Sequence, residues 1–305
     1  MTELITLPNG LTVEAPSRGE AAFLYEEIFN SDAYLRHGIE VSDGGTVFDV
    51  GANVGLFSAA LAQRRRNLRL HLFEPVPSTF AILERNVQRL LAGAEIELHR
   101  VALAARPGRA TLELNPKWSL DAGIDTQSFA RDARRRAGLD AWAHAFLHDA
   151  ARAGGIAPRA ARRLEQALRT PVAGRVLLAG FWLLERLMTR AQRRAVQRVE
   201  CAVTTLSETL RDRKIEAVDL VKIDVEGAEW EVLQGVDEGD WPRLRQLVIE
   251  VHNLDGRVQR VRELLESNGF VVAVEQDDWA LLRLMDVHMV YASRVSSAAP
   301  RRAAR

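Results

Sequence analysis

Apolar positions along the 305-residue chain fall into two rhythms. The runs "TVFDV" (46 to 50), "LRLHLFE" (68 to 74) and "IELHRVAL" (96 to 103) alternate or are rich in β-branched residues, as strands do. Between them "LFSAALAQRRR" and "PSTFAILERNVQRLL" space their apolar residues as helices do. After residue 200 the alternation resumes: "AVDLVKIDV" (217 to 225), helix "AEWEVLQGV", "LRQLVIEVH" (244 to 252), helix "RVQRVRELLESNG", then "FVVAVEQ" and "VHMVYAS". Strands alternating with helices predict right-handed βαβ units and a mostly parallel sheet, an α/β fold of seven strands. The last two strands lack a long helix between them, which predicts an antiparallel hairpin at the far end of the sheet.

The two ends and the middle read differently. "ITLPNGLTVEAP" predicts two short strands about Asn9-Gly10, and "GEAAFLYEEIF" a following helix, together an N-terminal cap. From about 118 to 200 the pattern is helical, broken by Gly154-Gly155, Pro158 and Thr170-Pro171. The expected organisation is a cap and first half of the domain over 1–117, a helical insert over 118–200, and a second half over 201–295. The tail 296–305, "SAAPRRAAR" and its predecessor Ser296, is expected to be disordered.

Composition changes this picture in one respect. A 47% hydrophobic fraction supports a large core, and the formal net charge of zero argues against nucleic acid as a partner. Yet residues 121 to 200 hold fifteen Arg and only eight acidic residues, so an acidic body carries a basic insert. The single Cys201 cannot pair within the chain, and "MTELITLPNG" lacks the charged and apolar regions of a signal peptide, so a reducing cytoplasm is expected. The apolar run "VLLAGFWLL" is short of the ~20 residues that span a bilayer.

In an open parallel sheet, ligands sit beyond the carboxyl ends of the strands. That places Asp49, Gly51, Asn53 and Gly55 at a ligand, with Gly51 and Gly55 allowing a tight turn and close backbone approach. Glu74 ends the second strand, where a carboxylate can accept both hydroxyls of a ribose. A dinucleotide would call for G-x-G-x-x-G, but Asn53 and Leu56 stand where its second and third glycines belong. Asp49 would repel a pyrophosphate and attract an ammonium or sulfonium. S-adenosylmethionine fits better than a nicotinamide cofactor.

With these residues the sequence resembles the FkbM-type family of S-adenosylmethionine-dependent methyltransferases. The likeness rests on "VFDVGANVGLFS", "LFEPVPSTFAILERNV", "VALAARPGRATL", "TLSETL", and above all "VDLVKIDVEGAEWEVLQG" followed by "LVIEVHN". The resemblance implies a class I methyltransferase (Rossmann-like) fold with the last strand antiparallel. It further implies O-methylation of a hydroxyl on a natural-product, sugar or lipid-like acceptor, with Val101 and Ala102 near the adenine. Ser207 in "TLSETL" stands where the family commonly has an acidic residue, and the family pattern does not account for the insert.

Methyl transfer to oxygen needs alignment of two partners and removal of one proton. Period-two alternation puts Lys222 and Asp224 on one side of the strand "VKIDV", with Glu226 and Glu229 following across Gly227 and Glu250 and His252 sharing a side of the next strand. Asp224 and His252 are the expected groups for orienting the acceptor or taking its proton, supported by Lys222 and Glu226. Glu226 and Glu229 also suit a helix start for structural reasons alone. No metal is assigned, although Asp224, Glu226 and Glu250 offer the hard oxygen donors a divalent ion prefers. His144 and His148 lie four apart on one helix face without the Glu of H-E-x-x-H, so surface or packing roles are expected. Cys201 is expected to be a buried, inert thiol.

The arginines of the insert, interleaved with Trp142, Phe146, Phe181 and Trp182, suggest amphipathic helices closing over the ligand end of the sheet as a lid. A solvated structural cap, a docking surface for an acidic carrier protein presenting a tethered intermediate, and an interfacial helix at an anionic membrane all suit this composition. A protein that binds the cofactor without catalysis, serving as a scaffold, is the remaining class.

Overall fold

The computed structural model describes residues 2–115, 118–123 and 126–294. The expected disordered tail 296–305 lies outside the described residues. The N-terminal cap forms as expected. Strands β1 (Glu3–Thr6) and β2 (Thr12–Ala15) pair antiparallel about Gly10, whose φ of +86° suits the turn, and helix α1 (Arg18–Tyr25) follows. The helix then widens into a π-type turn over Glu26–Asn30, closed by the Ser31 N–H donating to the Glu26 carbonyl at 2.8 Å.

The main sheet is built as the alternation predicts. Strand β3 (Thr46–Val50), helix α2 (Leu56–Arg64), strand β4 (Arg69–Phe73), helix α3 (Pro77–Leu90) and strand β5 (Glu95–His99) make the first half. β3 is buried at every position because helices cover both faces, which is why it reads as an unbroken apolar run around Asp49. The run "IELHRVAL" is not one strand, however. After β5 the chain turns at Arg100 and Val101 into the short β6 (Ala102–Leu103), which belongs to a second sheet.

That second sheet was not anticipated. Strands β7 (Gly108–Asn115) and β8 (Trp118–Gly123) precede helices α4 (Thr126–Ala137), α5 (Leu139–Arg152), α6 (Pro158–Leu168) and α7 (Pro171–Ala195), and β9 (Gln197–Thr204) closes the excursion. The order in this sheet is β6-β9-β7-β8, with β7 antiparallel to β9 from Gly108↔Val203 to Leu114↔Gln197. The segment 118–200 therefore starts and ends in strands, with helices between. The expected first helix divides at Gly138, where φ is +83°. The helices share a small core of Ala143, Leu147 and Leu168 backed by Leu164 and Phe181.

Helix α8 (Leu206–Asp212), opened by a reciprocal cap between Thr205 and Glu208, leads to strand β10 (Leu220–Ile223), helix α9 (Glu229–Gln234), strand β11 (Gln246–His252), helix α10 (Arg257–Ser267), strand β12 (Val271–Gln276), the short helix α11 (Ala280–Leu284) and strand β13 (Val287–Ser293). The seven-stranded sheet runs β12-β13-β11-β10-β3-β4-β5, and β13 alone opposes its neighbours, sitting between β11 and β12 rather than at the edge. Among the described residues no helix is long and apolar enough to cross a membrane.

Helix α5 docks at the carboxyl rim of the sheet. The buried Asp149 carboxylate accepts the N–H groups of Ala280 (3.0 Å) and Leu281 (2.8 Å) at the start of α11. Arg152 reaches Glu26 Oε1 at 3.1 Å and the carbonyl of Asp278 at 3.2 Å, and its guanidinium lies 4.4 Å from the centre of the Trp279 ring.

Candidate active site

β3 ends at a loop whose first residue, Gly51, leaves no room for a side chain. At Gly51 φ is +78°, and a Cβ there would stand 1.8 Å from the carbonyl oxygen of Asp224. The N–H groups of Gly51 and Ala52 both donate to the Phe73 carbonyl, at 3.0 and 2.9 Å, folding the loop across the end of β4. Asn53 is also left-handed, with φ of 48°, and Gly55, with φ of +86°, caps α2 against Leu83. Glu74 clamps this turn: its carboxylate accepts the N–H of Asn53 at 3.2 Å and of Val76 at 2.9 Å. Burial pushes the Glu74 carboxyl up to about 7 despite those two N–H groups.

A cavity of about 940 Å³, counting its open mouth, begins at this loop. Gly51, Asn53 and Glu74 border it, with Val76, Val101, Ala102, Leu103 and Leu112 as apolar lining and Lys222, Asp224 and Glu226 beside the Gly51 loop. Five of the seven expected cofactor positions therefore line one wall. Asp49 and Gly55 do not. Asp49 is fully buried and lies behind the wall, where Ser58 Oγ donates to its Oδ2 at 2.7 Å. The expectation that Asp49 meets a ligand cation directly is corrected accordingly: the cation facing it is Lys222.

Lys222 and Asp49 are register partners on adjacent strands β10 and β3. The Lys222 Nζ lies 3.4 Å from Asp49 Oδ1 and 3.3 Å from Asp224 Oδ2, and donates to the Gly51 carbonyl at 2.8 Å. Burial works against its charge, but the Asp224 and Asp49 carboxylates outweigh it and hold the ammonium well above its ordinary range. Tyr34, from the N-terminal cap, donates its hydroxyl to Asp224 Oδ2 at 3.0 Å, and its ring stands 5.4 Å from Lys222 Nζ. Asp224 is thus held from two sides while keeping a face on the cavity.

The turn after β10 places Glu226 at φ 52° and Gly227 at φ 97°. His252 sits behind it with Nδ1 at 2.9 Å from Glu229 Oε1 and Nε2 at 3.3 Å from Glu226 Oε2. Burial opposes protonation, but these two carboxylates push the imidazole up to about 10. His252 lies off the cavity wall with a carboxylate against each ring nitrogen, so its position does not match the expected role of taking the acceptor's proton and places it behind Glu226. Fully buried Glu229 is further engaged by Arg257 Nη1 at 2.6 Å and by the Gly227 N–H at 2.6 Å, so its place at the helix start is structural.

Tyr34 lines the cavity and escaped the sequence reading, as did Glu27 of the cap and Asp277 after β12, which line a separate small opening. Glu27 follows the buried Leu24 by one helical step and adjoins Ile28, so an acid in an apolar stripe was the available signal. Of the other residues singled out, Ser207 is buried and accepts the Asp237 N–H at 2.7 Å, away from the cavity. Cys201 is buried on β9, and burial pushes its thiol up. His148 is exposed and lies 3.0 Å from Asp149 Oδ1, and His144 stands 3.9 Å from Asp140 Oδ1.

Comparison with known proteins agrees with the geometry. The methyltransferase FkbM domain pattern matches residues 161–272. The chain is 38% identical over 298 residues to 31-O-demethyl-FK506 methyltransferase FkbM of Streptomyces tacrolimicus, covering 97% of this chain and 98% of that protein. It is 31% identical to a part of the AMB antimetabolite synthetase AmbE of Pseudomonas aeruginosa, covering 95% of this chain and 12% of that one. Among solved structures, Aeropyrum pernix fibrillarin with natively bound S-adenosyl-L-methionine is similar over 95% of this chain and 93% of its own, at 11% identity and a TM-score of 0.43.

Proposed function

Because the chain belongs to the FkbM methyltransferase family, we propose that it O-methylates a hydroxyl of a natural-product-like acceptor. The observation that carries this reading is that Gly51, Asn53 and Glu74 line the same cavity as Asp224 and Glu226. The first three suit the cofactor and the last two an acceptor. The relative from Streptomyces tacrolimicus, whose name gives a 31-O-demethyl substrate, supports oxygen as the methylated atom.

The residues present fit S-adenosylmethionine. Gly51, packed too tightly against the Asp224 carbonyl to carry a Cβ, lines the cavity together with Asn53. Each Glu74 oxygen spends one lone pair on an N–H and keeps capacity for the two ribose hydroxyls. The apolar side formed by Val76, Val101, Leu103 and Leu112 suits an adenine. Gly51, Asn53, Glu74, Val101 and Ala102 would hold the cofactor, with Asp49 and Gly55 shaping the loop from behind. Bound there, it supplies the methyl group.

The remaining work falls to this chain's side chains. Asp224 accepts the acceptor hydroxyl's hydrogen bond and steers its oxygen. Lys222 and Tyr34 fix the carboxylate for that task, so little rotamer freedom is lost when the acceptor binds. Glu226, backed by His252, shapes the same rim. Helix α5, anchored beside this rim, would exclude water as part of a lid, and the exposed Val176, Trp182, Leu183 and Leu187 of α7, among arginines, are where an acidic carrier protein would dock.

Purified protein assayed with S-adenosylmethionine against 31-O-demethyl-FK506 and a panel of hydroxylated acceptors tests the reading by mass spectrometry. Asp224→Asn should lower turnover about 100-fold with little change in S-adenosylhomocysteine affinity. Equal turnover would remove Asp224 from the mechanism. Tight cofactor binding with no methylation of any acceptor would favour a non-catalytic binder, and thermal stabilisation by NADH alone would overturn the cofactor.

A further inference from the structure

We propose that Glu27, Glu250 and Asp277 hold a divalent, oxygen-seeking metal ion immediately behind the acceptor end of the cavity. Glu27 arrives on the π-type turn of the cap, Glu250 on β11 and Asp277 just past β12, so three separate segments converge on one point. One oxygen of each lies within 4.8 Å of the others. That span fits inside a coordination sphere with metal–oxygen distances of about 2.3–2.6 Å.

Burial without partners makes this more than an acidic cluster. Glu27 is 4% exposed and Glu250 5%, yet among the described residues neither carboxylate has a hydrogen bond or an ion pair. Asp277, 3% exposed, receives only the Trp279 N–H at 2.7 Å on Oδ1, leaving its other oxygen open. Burying carboxylates this deeply without a cation is costly, and natural interiors avoid it unless a metal, a proton or water resolves it. The nearby cations are already engaged, Lys222 with Gly51, Asp49 and Asp224, and His252 with Glu226 and Glu229. A small opening lined by Glu27, Ser31, Asp277 and Asp278 reaches two of the three carboxylates.

All the donors are carboxylates, which selects magnesium, calcium or manganese over zinc or copper. Glu250 also lies within 4.8 Å of Asp224 and Glu226, so the ion would brace the acceptor wall through a shared side chain and pin the cap to the sheet. π-type turns are frequent at such functional positions.

The full-length protein, stripped with EDTA, is titrated with Mn²⁺ by calorimetry and electron paramagnetic resonance, with Mg²⁺ and Ca²⁺ as competitors. One Mn²⁺ per chain is expected, displaced by a competitor, with a rise in melting temperature. Glu27→Gln and Glu250→Gln should each weaken binding roughly 10- to 100-fold while S-adenosylhomocysteine affinity stays within about threefold, a readout independent of methyl transfer. Absence of binding by the wild-type chain at millimolar metal would overturn the site. So would affinity unchanged in both variants, or variants more stable than wild type with no metal effect, the signature of protonated acids. Stabilisation by an alkylammonium ion but by none of the metals would overturn it in favour of an amine. Should a Gln variant fail to fold, the wild-type titration and Asp277→Asn decide.

Discussion

The ammonium of Lys222 donates to the carbonyl oxygen of Gly51 at 2.8 Å, tying the fourth parallel strand to the loop that follows the first. The same atom faces Asp49 and Asp224. Replacing Lys222 with Met leaves Asp49 buried without a cation and frees the loop. A loss of about 3–5 kcal/mol is expected in urea unfolding, together with loss of S-adenosylhomocysteine binding by calorimetry.

Glu74 gives the protein a pH dependence whose sign is fixed. Its carboxyl is pushed up by burial to about 7 from an ordinary 4.5. For an acid raised in the folded state, the stabilising contribution is fully present below 4.5 and is lost as pH rises through 7, a change of roughly 3 kcal/mol. The difference in unfolding free energy between pH 4.5 and pH 8 should shrink by about that amount in Glu74→Gln. Cofactor affinity should move the other way, weakening below pH 7 as the ribose-accepting carboxylate is protonated, and calorimetry at pH 6 and 8 measures it.

Two left-handed glycines should respond very differently to alanine. At Gly10 a Cβ meets nothing within 4 Å, so Gly10→Ala bears only backbone strain of about 1 kcal/mol. At Gly51 the Cβ meets the Asp224 carbonyl at 1.8 Å, so Gly51→Ala adds a backbone clash and should cost upward of about 3 kcal/mol. Thermal melts of both variants compare them directly.

Removing the buried charge of Glu229 should be worse than removing that of Glu226. Glu229→Gln removes the carboxylate facing both Arg257, which keeps only the Gly227 carbonyl, and His252, for an expected loss of about 3–5 kcal/mol, whereas the Glu226 side chain is 24% exposed and water can replace it. Chemical denaturation ranks the two.

Arg152 holds α5 to the rim. Arg152→Ala removes the contacts to Glu26, to the Asp278 carbonyl and to the Trp279 ring, and should destabilise by about 1–3 kcal/mol. If α5 closes the acceptor side, KM for the acceptor rises while cofactor affinity holds, and hydrogen exchange over α5 accelerates.

What the sequence revealed follows from how local each signal is. β3 and its loop were legible because a continuously apolar strand running into Gly51 and Gly55 needs no distant partner to be recognised. β9 was not, because it finds β7 across the whole insert, whereas β7 and β8 are a local hairpin whose alternating "ATLEL" and "WSLDA" carry a strand rhythm that the helical pattern after residue 126 obscures. Asp49 was recognised as special, but its partner Lys222 is set by strand register and lies far along the chain. His252 was placed at the right rim, while its charge depends on Glu226 and Glu229 closing on both ring nitrogens. Glu27 was hidden because a carboxylate within an amphipathic helix looks like solvent-facing decoration until the π-type turn rotates it inward.

The strand pair β7 and β9 has a consequence for how such proteins diversify. Leu114 and Gln197 stand side by side, so everything between them leaves and returns through one gate. Beyond that pair, the excursion is tied back to the main body chiefly by α5, through Asp149 and Arg152. A cassette of different size or charge would leave the Gly51 loop untouched provided it kept the Asp149 and Arg152 contacts at the rim.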